Sequence, residues 1–456
     1  MADFASELKE AVKGQVIEGD RIPPKFLTDF VGTLKGRADA YLKAAGRDDV
    51  IAAVKLAFKH KVPVVVRSGG TNLVGATVPE GGLVLDMSGM DKVMSFDKPT
   101  MSITVEPGIT LKDLIAYVEA RGCMYPPDPA EKLGTIGGNV AMNSGGMRAV
   151  KYGVTRDYVL SLDLVRPDGQ LVTLGRKVRK NATGLNLKEC VIGSEGSLGV
   201  IVSVTLRLVP LPEHSLSAIL AYHSLADGIR SVNAILDAHL DPTAIEFQEK
   251  KVIACGEKFL GKQFPVPSAV AYLIVTFDGT RKSVEERLSR CGEVARKSGA
   301  FDVVPLSDPK LAAEVWEIRG ALARAVKASG PWEPVDTVVP LDQIAPFVES
   351  VNRISEEEGV RIVAFGHAGD GNVHLCVLKD QIPDAQWPAR LDRVLRRVYD
   401  SAYDKGGMLS GEHGIGKAKR RYFLEHAHKD ERELMLKVKA AFDPDNLFNP
   451  HDGYAL

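Results

Sequence analysis

Short β-branched apolar runs alternate with turns through the first half of the chain. "VPVVVR" (62–67), "GLVLDM" (82–87), "SITVEP" (102–107), "VLSLDLVRPDG" (159–169) and "VIVSVTLRLVP" (200–210) have the length and composition of strands. "TLKDLIAYVEARG" (110–122) instead spaces its apolar residues as a helix, with Thr110 as N-cap and Gly122 as C′. Strands broken by a few helices predict an α+β domain. After "LVPLPEHS" (208–215) the pattern changes. "SLADGIRSVNAILDAHLDP" and "SVEERLSRCGEVARKSGA" are helical, while "TAIEFQ" and "AVAYLIVTFDG" are strands, predicting a second, α/β domain. A helix over 391–407 leads into "GGMLSGEHGIGKAKR", and the last forty residues read as one helix plus the stop "AFDPDNLFNP". The expected division is a helical lead over 1–34, a glycine-rich domain over 35–213, an α/β domain over 214–405 and a C-terminal segment over 406–456.

At 456 residues the chain exceeds what one hydrophobic core supports, which agrees with more than one domain. A net charge of -1 leaves no basic surplus for phosphate neutralisation, so no nucleic-acid partner is expected. The five cysteines form no CxxC, which excludes a zinc ribbon or an iron–sulfur cluster built from this chain alone. Scattered thiols suit a reducing compartment. The N-terminus lacks the apolar core of a secretory signal, and the longest apolar runs are strand-length. A cytoplasmic protein without a transmembrane segment is expected, with any membrane association made through a partner.

"GHAGDGNVHL" (366–375) joins two strand patterns through a Gly-Asp-Gly bend. If His367 and His374 are cross-strand neighbours, their Cβ atoms lie about 5 Å apart, close enough to share one ion. The plainer reading is a hydrogen-bonded histidine pair. "SGEHGIG" (410–416) adds adjacent Glu412 and His413, whose side chains point apart in an extended segment. One could ligate a metal while the other faces a substrate. Two histidines, one carboxylate and an open position suit zinc or a similar ion, manganese and iron included. "GEHGIGKA" also has the G-x-x-x-x-G-K spacing of a phosphate loop, but Ala418 replaces the magnesium-binding hydroxyl and no strand precedes it.

Three glycine loops flank strands within the first domain: "RSGGTNLVG" (67–75), "PPDPAEKLGTIGGNVAMNSGG" (126–146) and "VIGSEGSLGVI" (191–201). One such loop is usually a tight turn. Three, each able to direct backbone N–H groups at an anion, point to a long ligand with a pyrophosphate. No GxGxxG is present, so the site is not of the Rossmann type.

These motifs, with "KYGVTRDYV", "GHAGDGNVH", "SGEHGIG" and "FDPDNLFNP", resemble the vanillyl-alcohol oxidase and p-cresol methylhydroxylase flavoproteins. Within that family the chain is most similar to the FAD-linked D-2-hydroxyacid dehydrogenases, which include D-lactate, glycolate and D-2-hydroxyglutarate enzymes. The match spans residues 67–450 in order. The resemblance implies a two-subdomain FAD-binding domain, an α/β cap covering the isoalloxazine, and a C-terminal segment returning to the FAD domain. It implies cofactor contacts at Arg67, Ser68, Gly69, Gly70, Thr71 and Asn72, then at Pro127 and Asp128. Further contacts fall at Gly134, Thr135, Gly137, Gly138, Asn139, Ser144, Gly145 and Gly153, and at Glu195, Gly196, Ile201 and Asn449. The first loop has no histidine, so non-covalent FAD is expected. In the resembling branch the counterparts of His367, His374 and Glu412 hold a divalent metal, usually zinc, and that of His413 is the catalytic base. A matching Trp-x-x-Arg motif implies Arg319 as the substrate-carboxylate clamp.

That chemistry is coherent: a metal lowers the barrier to removing the hydroxyl proton, an imidazole takes it, and flavin accepts the hydride. The 2-hydroxyglutarate enzymes carry a lysine near position 334 and a polar amide at position 376. Here these are Pro334 and Cys376, leaving a second carboxylate without a cation. A small monocarboxylate such as D-lactate, glycolate or D-2-hydroxybutyrate is therefore expected. Electrons must pass to an external acceptor: electron-transfer flavoprotein, an iron–sulfur subunit or a quinone. The competing readings are D-2-hydroxyglutarate oxidation and a non-catalytic flavin subunit that relays electrons.

Overall fold

A computed structural model of the chain describes residues 2–450. The chain forms two compact units: one comprises 1–144, 154–211 and 413–456, the other 145–153 and 212–412. No helix among the described residues is long and apolar enough to cross a membrane.

Among the described residues the first unit holds two larger sheets and one two-stranded pair. Strands β1 (Gln15–Glu18), β2 (Ala40–Lys43), β3 (Val64–Arg67) and β4 (Leu83–Asp86) are ordered β1-β2-β4-β3. Strands β5 (Val93–Asp97), β6 (Ser102–Val105), β8 (Val159–Val165), β9 (Leu171–Gly175) and β10 (Val200–Arg207) are ordered β5-β6-β10-β8-β9. A short pair joins β7 (Cys123–Met124) to β11 (Val209–Pro210). Helix Arg47–His60 packs Val50, Ala53, Val54 and Ala57 into a core with Val64, Leu83, Leu85, Val200 and Phe448. β3 is buried because "VVV" meets both β4 and the C-terminal segment, where Val64 bridges Phe448.

The second unit is built on one seven-stranded antiparallel sheet. Its strands are β12 (His214–Tyr222), β13 (Ala244–Glu249), β14 (Ala271–Gly279), β15 (Asp302–Pro305), β16 (Trp332–Val338), β17 (Arg361–His367) and β18 (Asn372–Leu378). The order is β15-β12-β14-β13-β17-β18-β16. Helices Lys250–Leu260 and Pro309–Ala328 cover one face, packing Val252, Ile253, Ile318 and Leu322 against Ile274, Phe365 and Cys376.

Several local expectations are corrected. Helix Leu111–Glu119 has Thr110 as N-cap, accepting from Asp113 N, but its C-cap is Ala120, and Gly122 lies two residues further on at φ +68°. The last forty residues contain two helices, Arg420–His426 and Lys429–Phe442, because Ala427 turns extended and restarts the chain before the acidic first turn at Asp430 and Glu431. Residues 145–153, beside a predicted flavin loop, cluster with the second unit. There Lys151 Nζ and Tyr152 OH donate to Asp278 at 2.8 and 2.9 Å.

Candidate active site

The hairpin β17–β18 carries the two histidines two residues out of the expected cross-strand register. His367 pairs with Asn372, and His374 pairs with Phe365, because four residues rather than two form the bend. The histidines are diagonal neighbours, still within reach of each other. Their ring centroids are 5.1 Å apart and the rings are perpendicular. Gly371 makes the bend possible: its φ is +84°, and a Cβ there would lie 2.1 Å from Val339 O.

A buried carboxylate on β16 brings up the third donor. Asp336, opposite His374, accepts from Ser410 Oγ (2.8 Å), Gly411 N (3.0 Å) and Glu412 N (3.0 Å), and from Asn372 Nδ2 (2.7 Å). That clamp sets Glu412 Oε1 3.3 Å from His374 Nε2 and 3.7 Å from His367 Nε2. Ligand atoms of His367, His374 and Glu412 all lie within 4.8 Å of one another, so the three residues could hold a metal. Borderline nitrogen donors with one carboxylate suit zinc, manganese or iron. His413 is the next residue and begins the stretch that belongs to the first unit.

Charge is concentrated here. Burial favours neutral Glu412, but His367 and His374 outweigh it and hold its pKa far below the usual carboxylate range. At His367 burial alone would lower the pKa, yet Glu246 and Glu412 raise it well above normal. Asp370, in the bend, is pushed up to about 6 by burial, partly offset by the charge of His367.

Sequence reading missed Glu246. It is fully buried on β13, opposite His367. Its Oε1 meets His367 Nδ1 at 2.6 Å, and its Oε2 accepts from Arg319 Nε at 3.0 Å and from Arg319 Nη2. Burial favours the neutral acid, and His367 and Arg319 outweigh it, keeping Glu246 below the usual range. The only available signal was a charge inside "TAIEFQ", a strand otherwise buried on both faces. Arg319 thus lies buried within reach of this cluster, and its guanidinium also sits 5.3 Å from the Phe365 ring centre.

In the first unit, two of the predicted cofactor loops touch. Thr135 Oγ1 accepts from Gly69 N (3.1 Å) and donates to Ser68 Oγ (2.8 Å), and a Cβ on Gly69 would come within 3.2 Å of Thr135 N. These residues and Arg67 line a cleft of about 650 Å³. Arg67 and Asn72 brace the first loop: Arg67 Nη1 donates to Thr28 O and Thr77 Oγ1, while Asn72 accepts from Ala76 N. Gly70 passes so close over Arg67 that a Cβ would lie 2.0 Å from its guanidinium. Gly134, Gly137, Gly138 and Asn139 surround the N-terminus of helix Ile136–Met142, with Thr71 beside Gly134. Asn139 Nδ2 is buried and lacks a hydrogen-bond partner among the described residues, which fits an acceptor group from a bound cofactor.

The third loop is fastened rather than open. Glu195 is held at φ +55° and accepts from Ile415 N (2.7 Å) and Gly416 N (2.8 Å). Burial raises its pKa against those two bonds. Asn449 joins Val66 N, Ala76 O and Glu195 O, gathering β3 and two loops at one amide, and Gly196 packs beside it. Ile201 is buried in β10, whereas Asp128 pairs with Lys132 just after Pro127. Ser144 ends a stretch of the first unit, and Gly145 and Gly153 bound the segment assigned to the second. Lys417 Nζ is engaged by Glu80 at 2.7 Å and no strand precedes the loop, which removes the phosphate-loop alternative.

Comparison with known proteins decides the family. The description "FAD linked oxidases, C-terminal domain" matches residues 211–452, and "FAD binding domain" matches 38–175. The chain is 38% identical to the D-lactate dehydrogenase of Anaerostipes hadrus over 98% of this chain and 96% of that one. It belongs to the FAD-linked oxidases. The Bacillus subtilis glycolate oxidase subunit GlcD is 34% identical, over 91% of this chain and 89% of its own. Among solved structures, p-cresol methylhydroxylase with substrate bound superposes with a TM-score of 0.82 at 16% identity, covering 100% of this chain and 96% of that one. The 4-ethylphenol oxidase of Gulosibacter chungangensis gives 0.80 at 18%, covering 100% and 97%. The chain has the vanillyl-alcohol oxidase type of fold, as the sequence motifs implied, and it is an FAD-binding oxidoreductase.

Proposed function

We propose that this FAD-linked oxidase converts a small D-2-hydroxy monocarboxylic acid, of the lactate or glycolate type, to its 2-oxo acid and passes the electrons to an external acceptor. The observation that carries the reading is the three-donor cluster of His367, His374 and Glu412, in a chain whose relatives are named for lactate and glycolate oxidation. FAD, when bound, supplies the two-electron oxidant, and a divalent ion at the cluster would polarise the substrate hydroxyl. His413 then takes the hydroxyl proton on a ring nitrogen, a role open to imidazole near neutral pH. Arg319 clamps the carboxylate: Glu246 engages its Nε side, and the outer edge of the guanidinium suits bidentate binding. The glycine loops around Gly69 and Thr135 would hold the pyrophosphate of FAD by backbone N–H groups.

Residues of β16 and β18 support the reading of a small substrate. Pro334 and Cys376 are direct cross-strand partners, both buried, and share a face with Asp336 and His374. The residues on that face are Trp332, Pro334, Asp336 and Val338 against Asn372, His374, Cys376 and Leu378, with no lysine or arginine among them. A second substrate carboxylate there would find no cation on these two strands, and Arg319 is taken by the first carboxylate, which supports a monocarboxylate over 2-hydroxyglutarate.

Anaerobic mixing of FAD-loaded protein with D-lactate, L-lactate, glycolate, D-2-hydroxybutyrate and D-2-hydroxyglutarate tests the proposal. Fast bleaching of the flavin by a D-monocarboxylate, lost on chelation and restored by zinc or manganese, is the expected result. Preference for D-2-hydroxyglutarate would overturn the size argument, and no bleaching by any acid would favour an electron-relay subunit.

A further inference from the structure

We propose that Glu246 is a positioning residue that fixes the metal-binding histidine and the substrate-binding arginine to each other. The proposal rests on the function given above. A carboxylate in the middle of a seven-stranded sheet, with no solvent exposure, costs several kcal/mol to desolvate unless both oxygens are engaged. An apolar residue would fill the same volume without that cost. Its presence therefore calls for a task that only a paired anion performs.

Each oxygen has its own partner. Oε1 receives His367 Nδ1 at 2.6 Å, and Oε2 receives Arg319 Nε at 3.0 Å together with Nη2. Neutralising Arg319 would need only the second of these. The first sets the plane of the His367 ring and reserves Nδ1 as the donor, which leaves Nε2 pointing to Glu412 Oε1. An imidazole that donates from one nitrogen to a carboxylate presents the lone pair of the other to a metal, and such partners tune both orientation and basicity. The register supports the task, since Glu246 and His367 face each other on adjacent strands.

The other buried carboxylate divides the labour. Asp336 holds the 410–412 segment through two backbone amides and a hydroxyl, and so places Glu412. Its Oδ1 is 3.6 Å from His374 Nδ1, longer than a hydrogen bond. Glu246 is thus the carboxylate bonded directly to a ligand ring, and through Arg319 it sets the offset between the clamp and Nε2 of His367.

Zinc affinity, measured by chelator competition on the full chain without substrate, tests this. The main variant is Glu246→Leu combined with Arg319→Met, which removes both buried charges while keeping the volume. Such replacements are often neutral or stabilising, so folding should survive, as a thermal melt would verify. Its zinc dissociation constant should rise roughly 10- to 100-fold, and the cobalt(II) ligand-field spectrum should change. Glu246→Gln, whose single carbonyl oxygen can serve only one of the two partners, should fall between this variant and wild type. Should the double variant not fold, Glu246→Gln is read alone. Wild-type affinity in a folded variant would show that Glu246 merely balances Arg319 and would overturn the proposal. Wild-type protein that takes up no zinc would overturn the metal reading and this proposal together.

Discussion

His413 follows a residue of the donor cluster and precedes Gly414, whose φ of +83° admits no ordinary side chain: a Cβ there would lie 2.5 Å from Met142 Cε and 2.7 Å from Glu195 Oε1. The backbone at His413 is thereby constrained from the C-terminal side. His413→Ala is expected to leave FAD bound and to slow flavin reduction by roughly 100-fold, read by anaerobic stopped flow. Loss of FAD in that variant would place the side chain among the cofactor contacts instead. At this scale the sequence was legible where potential ligand residues and turn-forming glycines cluster within a few positions. His367, His374, Glu412 and the glycines of the bend all stood out. Glu246 and Asp336 did not, because a single acid in a strand carries no local sign that both its neighbours will be covered.

Among elements, the C-terminal helix Lys429–Phe442 shows how much depends on one buried cation. Lys439 Nζ donates to Ser197 O (2.7 Å), Phe448 O (2.9 Å) and Asp443 Oδ2 (2.5 Å). Asp443 in turn accepts from Leu447 N and Phe448 N at 2.9 and 2.8 Å, shaping the segment that bridges β3. Lys439→Ala leaves that carboxylate buried and unpaired, so unfolding in urea should show a loss of about 3–5 kcal/mol. Removing a surface lysine such as Lys429, whose nearest carboxylate is 3.9 Å away, should cost less than about 1 kcal/mol. "AFDPDNLFNP" was readable as a helix stop because Asp and Pro act locally. That Lys439 supports it was not readable, since its partners at Ser197 and Phe448 lie outside any helical period. The hairpin register failed for a related reason: the bend length depends on Gly371 fitting against Val339, which lies just past the end of β16.

At the scale of the molecule, the five thiols report on the two folded units. Cys190 is exposed and Cys255 half-buried, whereas Cys123, Cys291 and Cys376 are buried, and burial pushes the Cys291 thiol up to about 12 and Cys376 higher still. A maleimide should therefore label Cys190 first, Cys255 more slowly and the other three only after unfolding, as peptide mass mapping would show. Early labelling at Cys376 would contradict its burial beside Pro334, on which the substrate-size argument draws.

The sequence by itself determined the class of fold and singled out the glycine loops and the candidate donor residues, because periodicity, glycine content and residue chemistry are local properties. Tertiary structure alone decided which unit residues 145–153 join, how the hairpin registers, and that Glu246 links Arg319 to His367. Those outcomes depend on which distant surfaces exclude water from one another, and a buried charge acquires its role only from the partners that enclose it.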